Sequence, residues 1–294
     1  MKYIRFYFCF VGLFCIFLFH SCNRPQKVEN IVVDINLADI AVDESLYLDV
    51  GSRVLYALPT PIEASMLIKN WGVPNQELLN DPSNVSKYLT KKKMAVNLGV
   101  FITDMTLAGL YGQAQIVLQY KEALLQLVRG LDIEVLADPE ILQSIEDNIN
   151  NREELMQIIS DIYALCALFL SEDDRDFYAL AMLSGGWVEG MYIATGMIDE
   201  NSASNDNLNR MKSVVMDNKL TFDLLWSALS ELDVIPDEAV FLMLDMSYVA
   251  HLLGHQTLVA APASIENFND NMVTQSFFAE FKDCIHILRQ HFTN

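Results

Sequence analysis

Positive charge is scarce in this 294-residue chain, which has 19 Lys and Arg against 39 Asp and Glu and a formal net charge of -20. A nucleic-acid partner is therefore not expected, because binding DNA or RNA requires clustered Lys and Arg to neutralise phosphates. Glycine (12) and proline (8) are also few, while 52% of the residues are hydrophobic. This composition excludes collagen-like and disordered chains and supplies enough apolar surface for a large core.

Cysteine is the next scarce residue, with only five in the whole chain. That number excludes a disulfide-dense miniprotein. Cys9 and Cys15 lie in an apolar N-terminal run and Cys22 follows it, so the body of the chain keeps Cys166 and Cys284. Both lie in apolar helical patterns, which is typical of small buried hydrophobic residues. An oxidising compartment would alternatively allow them to pair.

Residues 1–21 have the layout of a secretion signal. Lys2 and Arg5 precede an uncharged apolar run over 6–19, and Ser21 precedes Cys22. The run of about 14 residues is shorter than the roughly 20 that a transmembrane helix needs. A small residue directly before a cysteine resembles a bacterial lipobox, and the whole arrangement resembles the signal peptides of Bacteroidetes lipoproteins. The resemblance implies lipidation of Cys22 and attachment to the cell envelope, with plain signal cleavage as the alternative.

Residues 22–40, which start at this cysteine, open with a polar stretch at 23–29 that contains Pro25 and are extended in character, so they predict a flexible tether. It has no run of acids, whereas surface-exported lipoproteins of that group often carry an acidic tag there. We therefore expect the periplasmic face rather than the cell surface. Residues 41–294 are expected to form a single helical domain.

Helical periodicity dominates that domain. Period-two alternation is absent outside a short stretch at 30–37, and apolar residues recur at spacings of three and four, as at Ile116, Tyr120, Leu124, Leu127 and Leu131. Asp138 followed by Pro139 predicts a helix start. The pattern predicts an all-α fold, a multi-helix antiparallel bundle or helical array of about eight to ten helices. The polar stretch 199–207 predicts a loop and a possible seam between two halves.

Two acids stand out because they lie within apolar runs. Asp104 lies seven residues from both Asn97 and Tyr111, so that the three share one face of a predicted helix. Glu189 lies among Gly185, Gly186 and Gly190, with Trp187 and Tyr192 beside it. Burying a carboxylate is costly unless it is paired or hydrogen-bonded, and each glycine costs a helix roughly 1 kcal/mol relative to alanine. Both segments therefore need a compensating interaction.

Two interpretations of these segments remain open. In the first, Asp104 and Glu189 converge in a pocket that binds a small ligand. Its candidate residues are Asn97, Asp104, Tyr111, Trp187, Glu189 and Tyr192. Such a pair could also serve a hydrolase as acid and base. In the second, the glycines let helices pack closely, and the acids bind a Lys, an Arg or backbone N–H groups of a neighbouring helix.

His251 and His255 are one helical turn apart, a spacing that can present two imidazoles to a metal. The zinc-protease motif requires Glu directly after the first His, and Leu252 occupies that position. No third ligand is identifiable, and neither a P-loop nor a nucleophile elbow is present. We therefore predict no metal, no cofactor and no catalytic residue.

Three blocks of the chain, NLGVFITDMTLAGLY, EDNINNREEL and GGWVEGMY, resemble blocks of uncharacterised helical lipoproteins of Bacteroidetes. The resemblance covers the chain from about Ala57 onward. It implies an all-helical envelope lipoprotein and carries no activity. We therefore expect a non-enzymatic protein that binds a small molecule or an envelope protein, with the carboxylate hydrolase as the alternative.

Overall fold

The computed structural model describes residue 72 and the ranges 76–133, 137–171, 175–198, 204–232, 237–255 and 268–294. Eight α-helices make up most of these ranges: α1 (Lys91–Leu110), α2 (Ala114–Gly130), α3 (Pro139–Asp147), α4 (Arg152–Ser171), α5 (Asp176–Gly196), α6 (Asn205–Ser230), α7 (Asp237–Leu252) and α8 (Gln275–Thr293). Short 3-10 helices occur at Gln76–Leu78, Pro82–Lys87 and Asp270–Met272. These ranges contain no strand, so the prediction of an all-α array of about eight to ten helices is confirmed.

The described residues all fall within one compact unit. The predicted signal peptide (1–21), the predicted lipidation site Cys22 and the predicted tether (22–40) lie outside them. Most of the predicted loop at 199–207 is also outside, and its last residues begin α6. The helices on either side of that loop, α5 and α6, pack against each other through Trp187 and Phe222, whose ring centroids are 4.9 Å apart.

The helix starts follow local chemistry. The side chain of Thr90 accepts a hydrogen bond from the N–H of Lys93 and thereby caps α1. The side chain of Asp138 accepts one from Glu140, and Pro139 is the first residue of α3, as the sequence predicts. These caps satisfy N–H groups that have no partner within the helix.

The pair α1 and α5 forms the centre of the domain, and every residue of α1 from Ala95 to Leu110 is buried. Their backbones touch at two glycines. A Cβ atom on Gly99 would lie 1.9 Å from the carbonyl oxygen of Met182, and one on Gly185 would lie 2.0 Å from that of Val96. The glycines therefore compensate their low helix propensity by allowing this close contact.

The remaining helices surround this pair. Lys91 at the start of α1 pairs with Asp132 just beyond α2, so these two helices run antiparallel. By length and composition α4 could cross a membrane, yet it contacts α1, α3 and α5 within the domain. Helix α8 contacts α5, α1 and α7, and this position brings its side chains to the acids of the central pair.

Candidate functional site

The two conspicuous acids meet at the centre of the domain. Asp104 on α1 and Glu189 on α5 both have 0% of their surface exposed. Arg289 of α8 binds Glu189 through two parallel hydrogen bonds, from Nε to Oε2 (3.0 Å) and from Nη2 to Oε1 (3.2 Å). This bidentate geometry is the strongest that a guanidinium and a carboxylate form. The cluster ties three helices together.

Asp104 has a different set of neighbours. Its Oδ2 accepts a hydrogen bond from the backbone N–H of Asn80 at 3.0 Å, and its buried Oδ1 has no hydrogen-bond donor. Burial raises the pKa of Asp104 well above its ordinary value, and the adjacent charge of Glu189 and a hydrogen bond with it raise that pKa further. The raised pKa favours the protonated form of Asp104, and in that form it donates to the Glu189 carboxylate.

Asn80 is itself fixed by two buried phenols. The hydroxyl of Tyr120 donates to the Asn80 carbonyl oxygen at 2.7 Å, and Asn80 Nδ2 donates to the Tyr88 hydroxyl at 2.9 Å. The Tyr88 hydroxyl in turn donates to the carbonyl oxygen of Thr293 at 3.4 Å. Burial raises the pKa of both phenols, so they stay protonated and serve as hydrogen-bond donors. The network thus extends from α2 to the end of α8.

The end of α8 is held by two side chains of α1. Asn97 Nδ2 donates to the carbonyl oxygens of Lys93 and Phe292, both at 2.9 Å. Lys93 Nζ donates to the carbonyl oxygen of His291 at 2.6 Å. A cation and an amide at the C-terminal carbonyls satisfy unpaired acceptors and oppose the negative end of the helix dipole. Asn97 therefore fixes α8 rather than facing a cavity.

The remaining sequence candidates divide into two groups. Tyr192 joins the carboxyl cluster, because the guanidinium of Arg289 lies 4.5 Å from the centre of its ring. Trp187 points instead to α6, where its Nε1 donates to the carbonyl oxygen of Asn218 at 3.3 Å. Tyr111 lies one residue past the end of α1, and its hydroxyl donates to the carbonyl oxygen of Gly72. The six candidates therefore do not line one shared pocket.

The cluster of Asp104, Glu189 and Arg289 serves to hold the helices together. Both carboxyl groups lack any exposed surface through which a substrate or an attacking water could reach them. Glu189 is bound by Arg289 at both oxygens and also forms a hydrogen bond with Asp104, so its acceptors face groups of the protein rather than a substrate. This arrangement favours the interpretation in which the acids bind an Arg and a backbone N–H, and it does not favour a hydrolase.

The raised pKa of Asp104 gives a testable pH dependence. Unfolded Asp104 loses its proton near pH 4 and the raised pKa delays that loss in the folded protein, so its stabilising contribution is full below about pH 4 and declines as pH rises through the folded pKa. Asp104→Asn keeps the acceptor for Asn80 and supplies a permanent donor to Glu189. We expect the stability of wild type relative to the variant to fall with a slope approaching about 1.4 kcal/mol per pH unit.

Urea unfolding of both proteins at pH 4, 5, 6 and 7 measures this difference, and titrating groups that do not interact with Asp104 cancel in the comparison. At pH 7 the variant should be at least as stable as wild type. A difference that is constant over this range would show that Asp104 is ionised in the folded protein.

The two histidines of the HLLGH segment do not form a site with each other. His255 Nε2 lies 2.7 Å from Asp223 Oδ1, and both oxygens of Asp223 accept hydrogen bonds from Lys219 Nζ. The imidazole packs beside Phe222 and Trp226. Across the described ranges no three His, Cys, Asp or Glu side chains are arranged to hold a metal ion.

Neither Cys166 nor Cys284 is part of a disulfide. Cys166 of α4 is fully buried, as expected of a small hydrophobic residue. Cys284 of α8 is half-buried, and burial together with the charges of Glu280 and Asp283 raises its pKa to about 12. Cys284 lies in a surface groove that the sequence does not reveal.

This groove, which we call the α7–α8 groove, has a volume of about 550 Å³. Its walls are apolar and its rim carries three acids and one histidine. The lining residues are Asp245, Tyr248 and Val249 of α7, and Glu280, Asp283, Cys284, Ile287, Leu288 and His291 of α8. It is a concave, partly apolar surface of the kind that binds ligands or peptides.

Exposed apolar side chains continue from this groove along α7. Phe241 is 59% exposed, Leu244 40% and Tyr248 53%, and their spacing of three and four residues places them on one helical face. Ile287 of α8, on the groove wall, is 68% exposed. Scattered exposed apolar residues are ordinary, but a contiguous set beside a groove indicates an interaction surface.

Sequence reasoning missed this surface for an identifiable reason. The run from Ala239 to Ala250 is apolar on nearly every side, a pattern typical of a buried helix. The structure buries one face of α7 and leaves the other exposed. The one sequence signal that could have indicated an exposed apolar surface is the absence of a polar face along this helix.

No family model matches this chain, and no curated protein or solved structure matches it either. The resemblance to Bacteroidetes lipoproteins therefore stays a prediction. Function has to be inferred from the described surfaces themselves.

Proposed function

We propose that this chain is a membrane-anchored lipoprotein of the cell envelope that binds a protein partner through the α7–α8 groove and catalyses no reaction. The observation that carries this proposal is the exposed apolar surface on α7 and α8. Phe241, Tyr248 and Ile287 together leave a hydrophobic area in water that the folded domain does not cover. Burying it against a partner would be favourable by roughly 25 cal/mol per Å².

The extent of this surface favours a protein over a small molecule. The groove alone has a volume within the range of about 300–1,000 Å³ that is usual for small ligands. The exposed face of α7, however, runs from Phe241 to Tyr248, about two helical turns. A small molecule in the groove would leave Phe241 and Leu244 uncovered. An extended or helical protein segment would cover both.

The N-terminal sequence supports the proposed anchoring. The signal-like residues 1–21, the lipobox-like Ser21-Cys22 pair and the polar residues 22–40 support a lipid-anchored protein whose domain is held off the membrane by a tether. The net charge of -20 would repel the domain from anionic lipid. The groove is therefore better suited to an envelope protein than to the membrane surface, and the periplasmic face is the proposed location.

A site-specific photo-cross-linker tests the docking function. The photoreactive residue benzoylphenylalanine replaces Ile287, and in a matched variant it replaces Leu220 of α6, which is 66% exposed and does not line the groove. In the cells that make the protein, we expect one discrete adduct from position 287, identified by mass spectrometry, and none from position 220. Equal adducts from both positions, or none from either, would contradict docking at the groove.

The anchor is tested separately. Cys22→Ser removes the thiol to which the lipid would be attached. We expect wild type to incorporate labelled palmitate and to sediment with membranes, and we expect the variant to do neither. Because Cys22 lies far in sequence from the groove, the variant should retain wild-type thermal stability. Palmitate incorporation that persists in the variant would show that Cys22 is not the lipidation site.

A further inference from the structure

We infer that the partner segment bound by the α7–α8 groove is a cationic amphipathic helix. This inference rests on the proposed docking function and specifies the chemistry of the partner. It follows from the charges on the rim of the groove. Within the described structure, one acid on the rim already lies beside cationic side chains and two do not.

At one end of the groove the rim acid is already compensated. Asp245 Oδ1 lies 3.0 Å from His291 Nδ1, and Asp245 Oδ2 lies 3.6 Å from Lys92 Nζ. Its side chain is only 15% exposed. Lys92 also lies over the ring of Phe241, 5.8 Å from its centre. This end offers a partner little uncompensated charge.

At the other end two acids are uncompensated. Glu280 and Asp283 are exposed, and neither forms a salt bridge with any cation in the part of the chain that the structure describes. Glu280 accepts one hydrogen bond, from the Tyr248 hydroxyl at 2.7 Å, which leaves its charge in place. Both carboxylates act on Cys284 in the groove, because each raises the pKa of that thiol. Their negative potential therefore reaches into the groove.

The apolar surface lies between these ends. Glu280 and His291 are eleven residues apart on α8, which is three turns or about 16 Å. Ile287 stands between them, and Tyr248 and Val249 face it from α7. A helix of three to four turns would place apolar residues at i, i+3, i+4 and i+7 on this surface. Its Lys or Arg residues would then lie beside Glu280 and Asp283.

Charge also disfavours a second copy of this chain, or an acidic partner, as the occupant of the groove. A second copy of this chain would bring a surface with about twice as many acids as bases. An acidic partner would be repelled at Glu280 and Asp283, and like charges brought together at an interface are costly. A basic helix gains from both the apolar contact and the charge contact, and the negative field of the domain accelerates its encounter.

The test uses the mature chain with Cys22→Ser and a defined probe. The probe is an acetylated, fluorescent 14-residue peptide of Leu and Lys with the Leu residues on one helical face, and its counterpart has Glu in place of every Lys. Binding is measured by fluorescence anisotropy at 50 and 200 mM salt. We expect binding of the Lys peptide, weaker at the higher salt, and no binding of the Glu peptide.

Matched variants distinguish the effect of the two acids at the groove from the effect of the overall negative charge of the protein. Glu280→Gln with Asp283→Asn should weaken binding of the Lys peptide about tenfold. Glu153→Gln with Glu154→Gln removes the same charge from exposed positions at the start of α4 and should change binding less than about twofold. For the apolar contact, Ile287→Ser should weaken binding about tenfold, whereas Leu220→Ser should leave it unchanged.

The outcomes distinguish this inference from the proposed function. Equal binding of the Lys and Glu peptides, or equal losses from the two acid variants, would overturn the cationic helix while position 287 could still cross-link a partner. A dimer in sedimentation that Ile287→Ser dissociates would identify a second copy as the occupant. Binding that requires removal of residues 23–71 would identify a segment of the chain itself. Either of these two results would also overturn the inference.

Discussion

Arg289→Met is expected to lower the free energy of unfolding by about 3–5 kcal/mol at pH 7, the usual effect of removing one partner of a buried ion pair. The physical reason is that Glu189 has no exposed surface and receives both of its charged hydrogen bonds from Arg289. Without the guanidinium, the Glu189 carboxylate would be buried beside Asp104 with no cation. Urea unfolding followed by circular dichroism measures the loss.

The loss should also depend on pH. In wild type, burial raises the pKa of Glu189 and Arg289 partly opposes that rise. Removing Arg289 raises it further, so the folded variant can take up a proton in acid and recover part of its stability. We therefore expect a smaller loss at pH 5 than at pH 8. Glu189→Gln combined with Arg289→Met should recover part of the loss at pH 7, because it removes the uncompensated charge.

Arg210→Met is the matched control for this experiment. Arg210 pairs with Asp206 one turn earlier on α6, where the side chain of Asp206 is 77% exposed and that of Arg210 is 34% exposed, so this substitution should cost less than about 1 kcal/mol. If Arg289→Met lowered the free energy of unfolding no more than Arg210→Met, the buried Glu189 carboxylate would not require the Arg289 guanidinium for stability. The buried cluster would then not be the link that holds α8 in place.

Gly185→Ala is expected to destabilise the protein by about 3 kcal/mol or more, or to prevent folding, even though alanine is the better helix former. The added Cβ atom would lie 2.0 Å from the backbone carbonyl oxygen of Val96, and a backbone atom cannot move aside as a flexible side chain can. Either α5 separates from α1 or the helix distorts. Soluble yield and thermal unfolding measure the result.

Gly190→Ala on the same helix gives the opposite expectation. A Cβ atom there would meet no atom within 4 Å, so only helix propensity changes, and stability should stay equal or rise by up to about 1 kcal/mol. The two substitutions are chemically identical and five residues apart. If both raised the melting temperature, α1 and α5 would not approach each other as closely as described.

The contacts that hold α8 in the domain also position the proposed binding surface. Arg289 points from α8 into the domain and binds Glu189, and Asn97 and Lys93 hold the last carbonyls of the helix. Ile287, two residues away from Arg289, faces the groove. The buried acids therefore fix the position of the helix that carries half of the groove. This role accounts for keeping expensive buried carboxyl groups in the core.

Part of this site could be predicted from the sequence. Asp104 and Glu189 are conspicuous because an acid in an apolar run needs a partner, and the alternatives included a Lys, an Arg or backbone N–H groups of a neighbouring helix. The structure supplies Arg289 of α8 for Glu189, whereas the N–H that binds Asp104 belongs to Asn80, which lies between two 3-10 helices and not in a neighbouring helix. The sequence could not identify these partners, because Arg289 lies 100 residues from Glu189 and nothing local distinguishes it from other arginines.

The all-α class and the start of α3 at Asp138-Pro139 were determined by the sequence alone, since apolar periodicity and helix caps act over a few residues. Tertiary structure alone decided which helices touch. It placed Trp187 and Tyr111 away from the acids, and it left one face of the apolar helix α7 exposed beside α8. These outcomes depend on contacts between segments far apart in the chain, and local periodicity carries no information about such contacts.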